Sequence, residues 1–548
     1  MPNTPKEGSE LRVNGPEQND GNVEYKLYLG SPSADRLDRL VTQMRYRLAQ
    51  GGGEAFYELG VSDSGELVGL GEEQVREVLA VFDRVAKSAG AEWRVTRRVR
   101  GKEGDVLEVH VRQRLEAAVQ IVVPLLGNVD SGKSSLVGVL CTGSLDNGNG
   151  EAATRVARYL HEIVNRRTSS VSTHLLGFDG SGKTVNDQLL DPLNESQVYL
   201  RSRKVAVLVD LAGHERYLRT TLKGVLGHTP DYALVVVASN MGTVGTFREH
   251  LGICVVLGIP FAVVITKVDL DPYNVKNTLS DVERVLKLPG VNKIPFIVDT
   301  QEDAVLAARH ISSGRIAPIF LASNVTGAGL DYLRTFLDLA PPRLEWEKRV
   351  DQDLLVYVDD KFLVKGVGLV VSGMLLQGRV SVNQEVYVGP FPDSTYRTVK
   401  IKSIHVNRVS VDSARAGQIM SAALAGVEYA DVEKGMVILS QRIKPQAVEE
   451  FKADIHVLYH PTTIKPGYQS VVHVYTHRQP AKIVSILGRD TLRTGDKGTV
   501  IMRFMKKPAY LYRGQTIIFR EGRTKGIGRI VEVYPKTAEA IRTSQPPT

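Results

Sequence analysis

The sequence predicts a multidomain α/β plus β chain. It reads as a small α/β domain, then a parallel-rich sheet wrapped by helices, then two β-barrels. Three observations predict this. The chain has 548 residues, too many for one hydrophobic core and enough for roughly three to five domains. Between 119 and 340, apolar strand-like runs alternate with helical stretches, the mark of strands joined by helical crossovers. Beyond Pro341 and Pro342 the pattern changes to short strands with glycine and aspartate turns, which suits closed antiparallel barrels.

Residues 1–22 are polar with almost no apolar anchors, so a disordered tail is expected there. Over 23–118 a small α/β domain is predicted. VEYKLYLG reads as a strand, and Leu37, Leu40, Val41, Met44 and Leu48 fall on one helical face. AFYELGV, the turn at 62–65 and ELVGL read as a hairpin. A second helix is expected near 72–88, then a basic strand pair with Arg94, Arg97, Arg98 and Arg100. Those arginines could meet phosphate or form a solvated charged strand.

Over 119–342 the expected strands are AVQIVVPLL, KVAVLVDLA, DYALVVVAS, PFAVVITKV and APIFLAS. Pro124 is awkward in the first of them. That strand should be central, and proline cannot donate to a ladder. The two prolines at 341–342 mark a linker. Barrel domains are expected over 343–443 and 444–538, with a flexible tail over 539–548.

The net charge of +8 suits a polyanionic partner such as RNA. Cys141 and Cys254 both sit in apolar runs and make no CxxC pair, so buried free thiols in a reducing compartment are expected. The start of the chain has no apolar signal core. The longest apolar stretch, 251–266, is broken by glycine and proline and falls short of the ~20 residues of a membrane helix. A cytoplasmic protein without membrane contact is the expectation.

The strongest motif is GNVDSGKS at 127–134, placed between a strand and a helical stretch. In that setting Gly127, Asn128, Val129, Asp130, Ser131, Gly132, Lys133, Ser134 and Ser135 are expected to wrap a nucleotide's phosphates with backbone N–H groups. Lys133 would reach the β and γ oxygens, and Ser134 would give its hydroxyl to Mg2+. A second match, GFDGSGKT at 177–184, lacks that setting. Little strand precedes it and no clear helix follows, so it reads as a tight turn.

Asp210 ends a strong strand, and DLAG spans 210–213. A carboxylate there can hold Mg2+ through water, and the Gly213 N–H can sense a γ-phosphate. His214 stands where a side chain could orient an attacking water. Thr266, Lys267 and Asp269 (TKVD) end another strand. Asp269 can accept both N1–H and the 2-amino group of guanine, a pattern adenine lacks, and Lys267 can lie along the base. Ser323 and Asn324 (ASN) end the last strand, where a backbone N–H could reach the guanine O6.

Together GNVDSGKS, DLAGHE, TKVD and ASN resemble the translational GTPases, the EF-Tu and elongation factor 1-alpha group, with the P-loop GTPase domain ahead of two barrels. GVGLVVSG at 366–373, VEKGM at 432–436 and REGRTKGIG at 520–528 extend the likeness. Within that superfamily, RTSSV at 167–171, LLGFD and RYLRTTLKGVLGHTPDY are similar to the GTP-binding protein 1 and 2 group, whose members are linked to aminoacyl-tRNA and to ribosome or mRNA quality control.

The resemblance implies GTP hydrolysis, GTP and GDP as ligands and Mg2+ as cofactor. His214 would position the hydrolytic water, and Asp130 would help a monovalent cation such as K+ sit near the phosphates. Ser170, or Thr168, would stand where the family's first switch supplies a threonine to Mg2+. Ribosome and tRNA would be the partners of a monomer. The N-terminal domain lies outside that family; GGGEAFYELGVSDSGELVGL at 51–70 resembles the Schlafen AlbA-like fold, which is associated with nucleic acid and implies RNA contact there. Alternatives are a metabolic GTPase of the sulfate-activating type and a non-hydrolysing RNA-binding module. The chain departs from the family in three places. Thr266 replaces the usual asparagine. Ser169 replaces an apolar residue. His405 and Asn407 stand where the family surrounds the aminoacyl end of tRNA.

Overall fold

The computed structural model describes residues 17–18, 20–30, 32–114, 118–157, 159, 162–163, 171–213, 227, 229–243, 247–522 and 524–536. Nearly all of the two tails predicted at 1–22 and 539–548 lies outside them. One compact unit includes Ser172–Asp210 and Asp231–Glu345 together with the N-terminal region, and the other includes the barrels from Trp346 onward.

The N-terminal region runs β1 (Val23–Lys26), α1 (Ala34–Gln50), β2 (Glu54–Leu59), α2 (Glu72–Ala89), β3 (Ala91–Arg100) and β4 (Asp105–Gln113). The sheet order is β1-β2-β4-β3. As the spacing predicts, α1 turns Val41, Met44 and Leu48 inward. Gly90, with φ of 74°, closes α2 and its N–H reaches the Ala86 carbonyl, the left-handed ending that glycine adopts without strain. The predicted hairpin forms only in part. The 62–65 turn closes, with the Gly65 N–H 2.8 Å from the Ser62 carbonyl. Its second arm, however, makes only single bridges, Val61 to Leu67 and Leu70 to Asp105. The long partner of β2 is β4.

Both faces of this sheet are buried. Ala55, Tyr57 and Leu59 of β2 and Leu107, Val109 and Val111 of β4 pack under the two helices. The alternate residues, which strand pleating turns to the other face, are Glu54, Phe56, Glu58, Glu108, His110 and Arg112, also buried.

The next region is built from β5 (Val119–Gly127), α3 (Lys133–Thr142), α4 (Glu151–Val156), β6 (Ser172–Phe178), α5 (Glu195–Arg201), β7 (Lys204–Asp210), β8 (Ala233–Ala238), α6 (Phe247–Val256), β9 (Phe261–Thr266), α7 (Pro272–Leu286), β10 (Ile294–Val298), α8 (Gln301–His310), β11 (Ile316–Leu321) and α9 (Leu330–Leu339). Its seven strands are ordered β10-β11-β9-β8-β5-β7-β6. All pairings are parallel except that of the edge strand β6 with β7. The five predicted strands are present. β6 and β10 are additions at the two edges.

Pro124 is accommodated by a change of partner. Pairing of β5 with β8 begins only at Leu125, opposite Leu234. Before the proline, Asp231 takes over: its carboxylate accepts the Val122 N–H at 2.8 Å and its own N–H donates to the Val122 carbonyl at 2.9 Å.

The charged face of the N-terminal sheet lies on this region. Glu54 accepts from Lys204 at 2.8 Å and from Arg112 at 2.8 Å. Arg112 also donates to Asp338, at the end of α9, at 2.9 Å. Arg309 of α8 pairs with Glu58 and lies 3.3 Å from Glu108. Burial alone would raise the Asp338 carboxyl, but Arg112, Arg94 and Lys204 hold it below the usual range. Of the basic strand, Arg94 and Arg97 are drawn into this interface, while Arg98 and Arg100 stay exposed. Arg94 pairs with Asp338, Arg97 lies 3.6 Å from Glu108, and Arg98 and Arg100 pair with Asp105.

In the second unit, strands at Leu355–Val364, Gly368–Gln377, Glu385–Gly389, Arg397–Val406, Ile419–Ala425 and Val437–Leu439 close into a ring. A second closed barrel uses Ala447–Tyr459, Gln469–Val474, His477–Leu487, Lys497–Phe504, Thr516–Glu521 and Thr524–Lys536. Each barrel turns alternate residues inward, and closure of the sheet on itself removes its edges.

Candidate nucleotide site

The strands that bear the predicted motifs lie side by side, so their carboxyl ends converge at one rim, where parallel α/β sheets bind ligands. β5 delivers the 127–134 loop, β7 delivers Asp210, β9 delivers Thr266 and β11 leads into Ser323 and Asn324.

The loop's backbone requires its sequence. Gly127 has φ of 152°, and a Cβ there would lie 2.3 Å from the Val236 carbonyl oxygen, so a side chain is excluded. Gly132, with φ of 81°, precedes α3 directly. Asp130 also has positive φ, 58°, a strained choice for a non-glycine residue. Asn128 steadies the turn: its Oδ1 accepts the Val129 N–H at 2.8 Å, and its carbonyl accepts the Ser131 hydroxyl at 2.9 Å.

Lys133 is the first residue of α3 and is buried. Its Nζ donates to the carbonyls of Asn128 at 2.6 Å and Gly127 at 3.1 Å. Burial pushes this amine down to about 8, against the pull of Asp210 and Asp130. The Ser134 hydroxyl donates to Asp210 Oδ2 at 2.6 Å. A small hard cation takes oxygen ligands of this kind, so this donor set fits Mg2+. Ser135 lies in the first turn of α3, and Gly213 is buried just beyond β7. His214 and Ser170, with Thr168 and Ser169, lie outside the described residues.

The residues expected to meet the base sit close to the loop. Thr266 is buried and its Oγ1 donates to the Ser131 carbonyl at 2.7 Å. Lys267 adopts φ of 61°, and its carbonyl accepts the Ser239 hydroxyl at 2.7 Å. Asp269 is exposed. Asp271 caps α7 through the Tyr273 N–H at 2.9 Å, with Pro272 at the first helical position. That cap anchors the chain just after the TKVD turn. Ser323 is buried and its hydroxyl accepts the N–H groups of Val325 and Thr326 at 3.2 and 3.0 Å.

Three supporting residues escaped the sequence reading. Ser239 holds Lys267, Thr278 donates to the Ser239 carbonyl at 2.9 Å, and the Asp146 N–H donates to the Asn324 carbonyl at 2.8 Å. The only signal was Ser239's place at the end of a predicted strand.

The second GK[ST] match is a turn. Asp179 Oδ1 accepts the N–H groups of Ser181 and Lys183 at 2.8 and 3.0 Å, and Phe178 bridges Thr184. In contrast to the expectation of little preceding strand, all of β6 leads into it. In the first barrel, His405 points outward. Asn407 and Arg408, with φ of 48° and 65°, form the two-residue turn between paired strands, which requires positive φ at both positions.

A phosphate-loop α/β domain followed by two closed barrels defines the class: a translational GTPase fold. The family model for the elongation factor Tu GTP binding domain matches residues 119–361, and that for elongation factor Tu domain 2 matches 368–439. GTP-binding protein 1 of Xenopus laevis is 42% identical over 533 residues, covering 96% of this chain and 81% of that protein. GTP-binding protein 2 of Mus musculus is 43% identical over 535 residues, covering 95% and 88%. The chain belongs to the GTP-binding protein 1 and 2 group of the translational GTPases. Among solved structures, elongation factor SelB from Methanococcus maripaludis, in complex with a GTP analogue, shares the fold with a TM-score of 0.55 at 21% identity, covering 77% of this chain and 81% of that one. Among the described residues no helix is long and apolar enough to cross a membrane.

Proposed function

We propose that this chain binds GTP with Mg2+ at the 127–134 loop, hydrolyses it, and works as a monomeric cytoplasmic switch. Its partners would be tRNA, aminoacylated or not, and the ribosome, in delivery, rescue or mRNA quality control. The observation that carries the reading is the Ser134–Asp210 hydrogen bond beside the buried Lys133 amine. These are the three groups that charge neutralisation around a γ-phosphate needs.

Gly127, Asn128, Val129, Asp130, Ser131, Gly132 and Ser135 would hold the phosphates through the loop backbone and the start of α3. Asp269 and Lys267 would read and cover guanine. Bound Mg2+ would neutralise charge on the β and γ oxygens. Lys133 would turn from its loop carbonyls to those oxygens, while Ser134 and Asp210 direct theirs at the metal. Gly213 would sense the γ-phosphate, with Ser170 and His214 completing the switch. Asp130 would favour a monovalent cation such as K+ near the phosphates. GTP would order the switches and hydrolysis would release them, and the partner with them. The divisions at 118, 342 and 443 are the domain limits we propose.

The test is GTP turnover by purified protein with and without ribosomes and tRNA. Slow intrinsic hydrolysis that rises strongly with ribosomes supports the reading. A rate that ribosomes leave unchanged, or equal binding of ATP, overturns it.

A further inference from the structure

We infer that Asn324 is a positioning residue for the phosphate loop, supplying the amide that position 266 lacks. The inference rests on the reading of that loop as a guanine-nucleotide site. Position 266 usually carries an asparagine, whose amide has two N–H donors and one acceptor. Threonine offers one hydroxyl hydrogen. Thr266 Oγ1 lies 2.7 Å from the Ser131 carbonyl and 3.3 Å from the Val237 carbonyl, and one hydrogen serves one of them at a time. A single hydroxyl therefore braces the loop at Ser131 and cannot also reach Gly132, whose carbonyl accepts the Leu136 N–H of α3 at 2.8 Å.

Asn324 adds a second donor to that carbonyl from the loop after β11. Its Nδ2 donates to the Gly132 carbonyl at 3.4 Å. The side chain is about nine-tenths buried, at 9% exposure, and its Oδ1 has no hydrogen-bond partner among the described residues. The end of the side chain that is engaged is its donor. A second measure agrees. A Cβ built on Gly132 would stand 3.4 Å from Asn324 Nδ2 and 3.6 Å from Thr266 Oγ1. The two side chains thus close on the same glycine, whose φ of 81° sets the entry to α3 and the direction of Lys133 and Ser134. Asn324 is itself fixed in advance. Asp146 holds its carbonyl, and the Ser323 turn holds the backbone on its other side.

The brace is thus divided between two loops. Thr266 holds Ser131, and Asn324 holds Gly132. Asparagine and threonine have similar volumes, so the amide can be moved back to position 266 without overpacking.

The experiment uses the full chain and measures release of a fluorescent GDP, GTP turnover and thermal melting. Asn324→Ala should release GDP about tenfold faster, as expected for one lost hydrogen bond at a buried site, while its melting curve stays close to wild type. Adding Thr266→Asn to that variant should restore most of the lost retention. Wild-type release from Asn324→Ala, or no rescue by the second change, overturns the inference and leaves the GTPase reading standing. A wild-type protein that binds no GDP sinks both.

Discussion

Lys204 and Glu54 meet at 2.8 Å with neither side chain reached by solvent, although 150 residues separate them. Lys204 opens β7, the strand that ends at Asp210. The N-terminal sheet therefore grips the amino end of a strand whose carboxyl end, about 20 Å away at strand rise, carries the proposed metal-side carboxylate. Desolvation is offset here by a closed set of partners, since Glu54 also meets Arg112 and Lys204 also donates to the Ala340 carbonyl.

Such a pair is costly to break from one side. Glu54→Ala would leave the Lys204 ammonium and the Arg112 guanidinium short of a counter-charge in a dry interface. A loss of about 3–5 kcal/mol is expected, read by denaturant unfolding. Glu54→Gln keeps the shape and one acceptor and should lose less. Wild-type stability in Glu54→Ala would mean that solvent reaches this interface.

The two GK[ST] matches should separate cleanly. Lys133→Ala removes the buried amine at the loop and should abolish GTP binding in a direct titration. Lys183 follows a turn held by Asp179, so Lys183→Ala should leave GTP affinity within about twofold of wild type, a change below ~0.5 kcal/mol. The reverse result would move the nucleotide site to the other loop.

Nucleotide affinity should depend on pH through Lys133. Burial lowers its amine from the ordinary 10.5 to about 8 in the nucleotide-free protein. A polyphosphate beside it favours the charged form and raises it again. Binding then takes up a proton at pH values above about 8. Affinity should be greatest below pH 8 and fall as pH rises through that value, by at most about tenfold per unit. Calorimetry in buffers of different ionisation heat reads the proton directly. Lys133→Arg, which stays charged, should show whatever affinity remains without this slope.

The proposed nucleotide motifs were legible in the sequence because each lies at a strand end and depends on local backbone. Gly127 and Gly132 are read from type and spacing alone. What was missed depends on neighbours far along the chain. β6 begins with Ser172, Thr173 and His174, and β10 is five residues with a proline. Both are edge strands, where burial imposes little pattern. Glu54, Glu58 and Glu108 alternate with apolar residues, as on a half-exposed sheet. Nothing local tells that another layer covers the charged face. The Thr266–Ser131 bond likewise joins two motifs that were each recognised but whose contact only folding creates.

Both cysteines should be silent in the native protein. Cys141 and Cys254 are buried, and burial pushes both thiols up to about 12. Thiolate, the reactive form, is then scarce at neutral pH. A colorimetric thiol reagent should count none in buffer and two in denaturant. Rapid labelling of either one in the native state would show that its strand–helix layer opens.

The last prediction concerns the second unit, where a tyrosine ties the first barrel to the second. Tyr357 lies in the strand Leu355–Val364, buried, and its hydroxyl donates to the Tyr510 carbonyl at 2.8 Å while accepting from Gln515 Nε2 at 2.7 Å. Burial drives the phenol well above its ordinary pKa, so it stays neutral and keeps its hydrogen at any working pH. Tyr357→Phe retains the ring and removes only the oxygen. It strands one carbonyl and one amide N–H that this group bonds in the native state. Unsatisfied buried polar groups cost about 1–3 kcal/mol, and a loss of that size should appear as a lower urea midpoint with an unchanged slope. A variant as stable as wild type would mean that water replaces the hydroxyl and that the junction is wet.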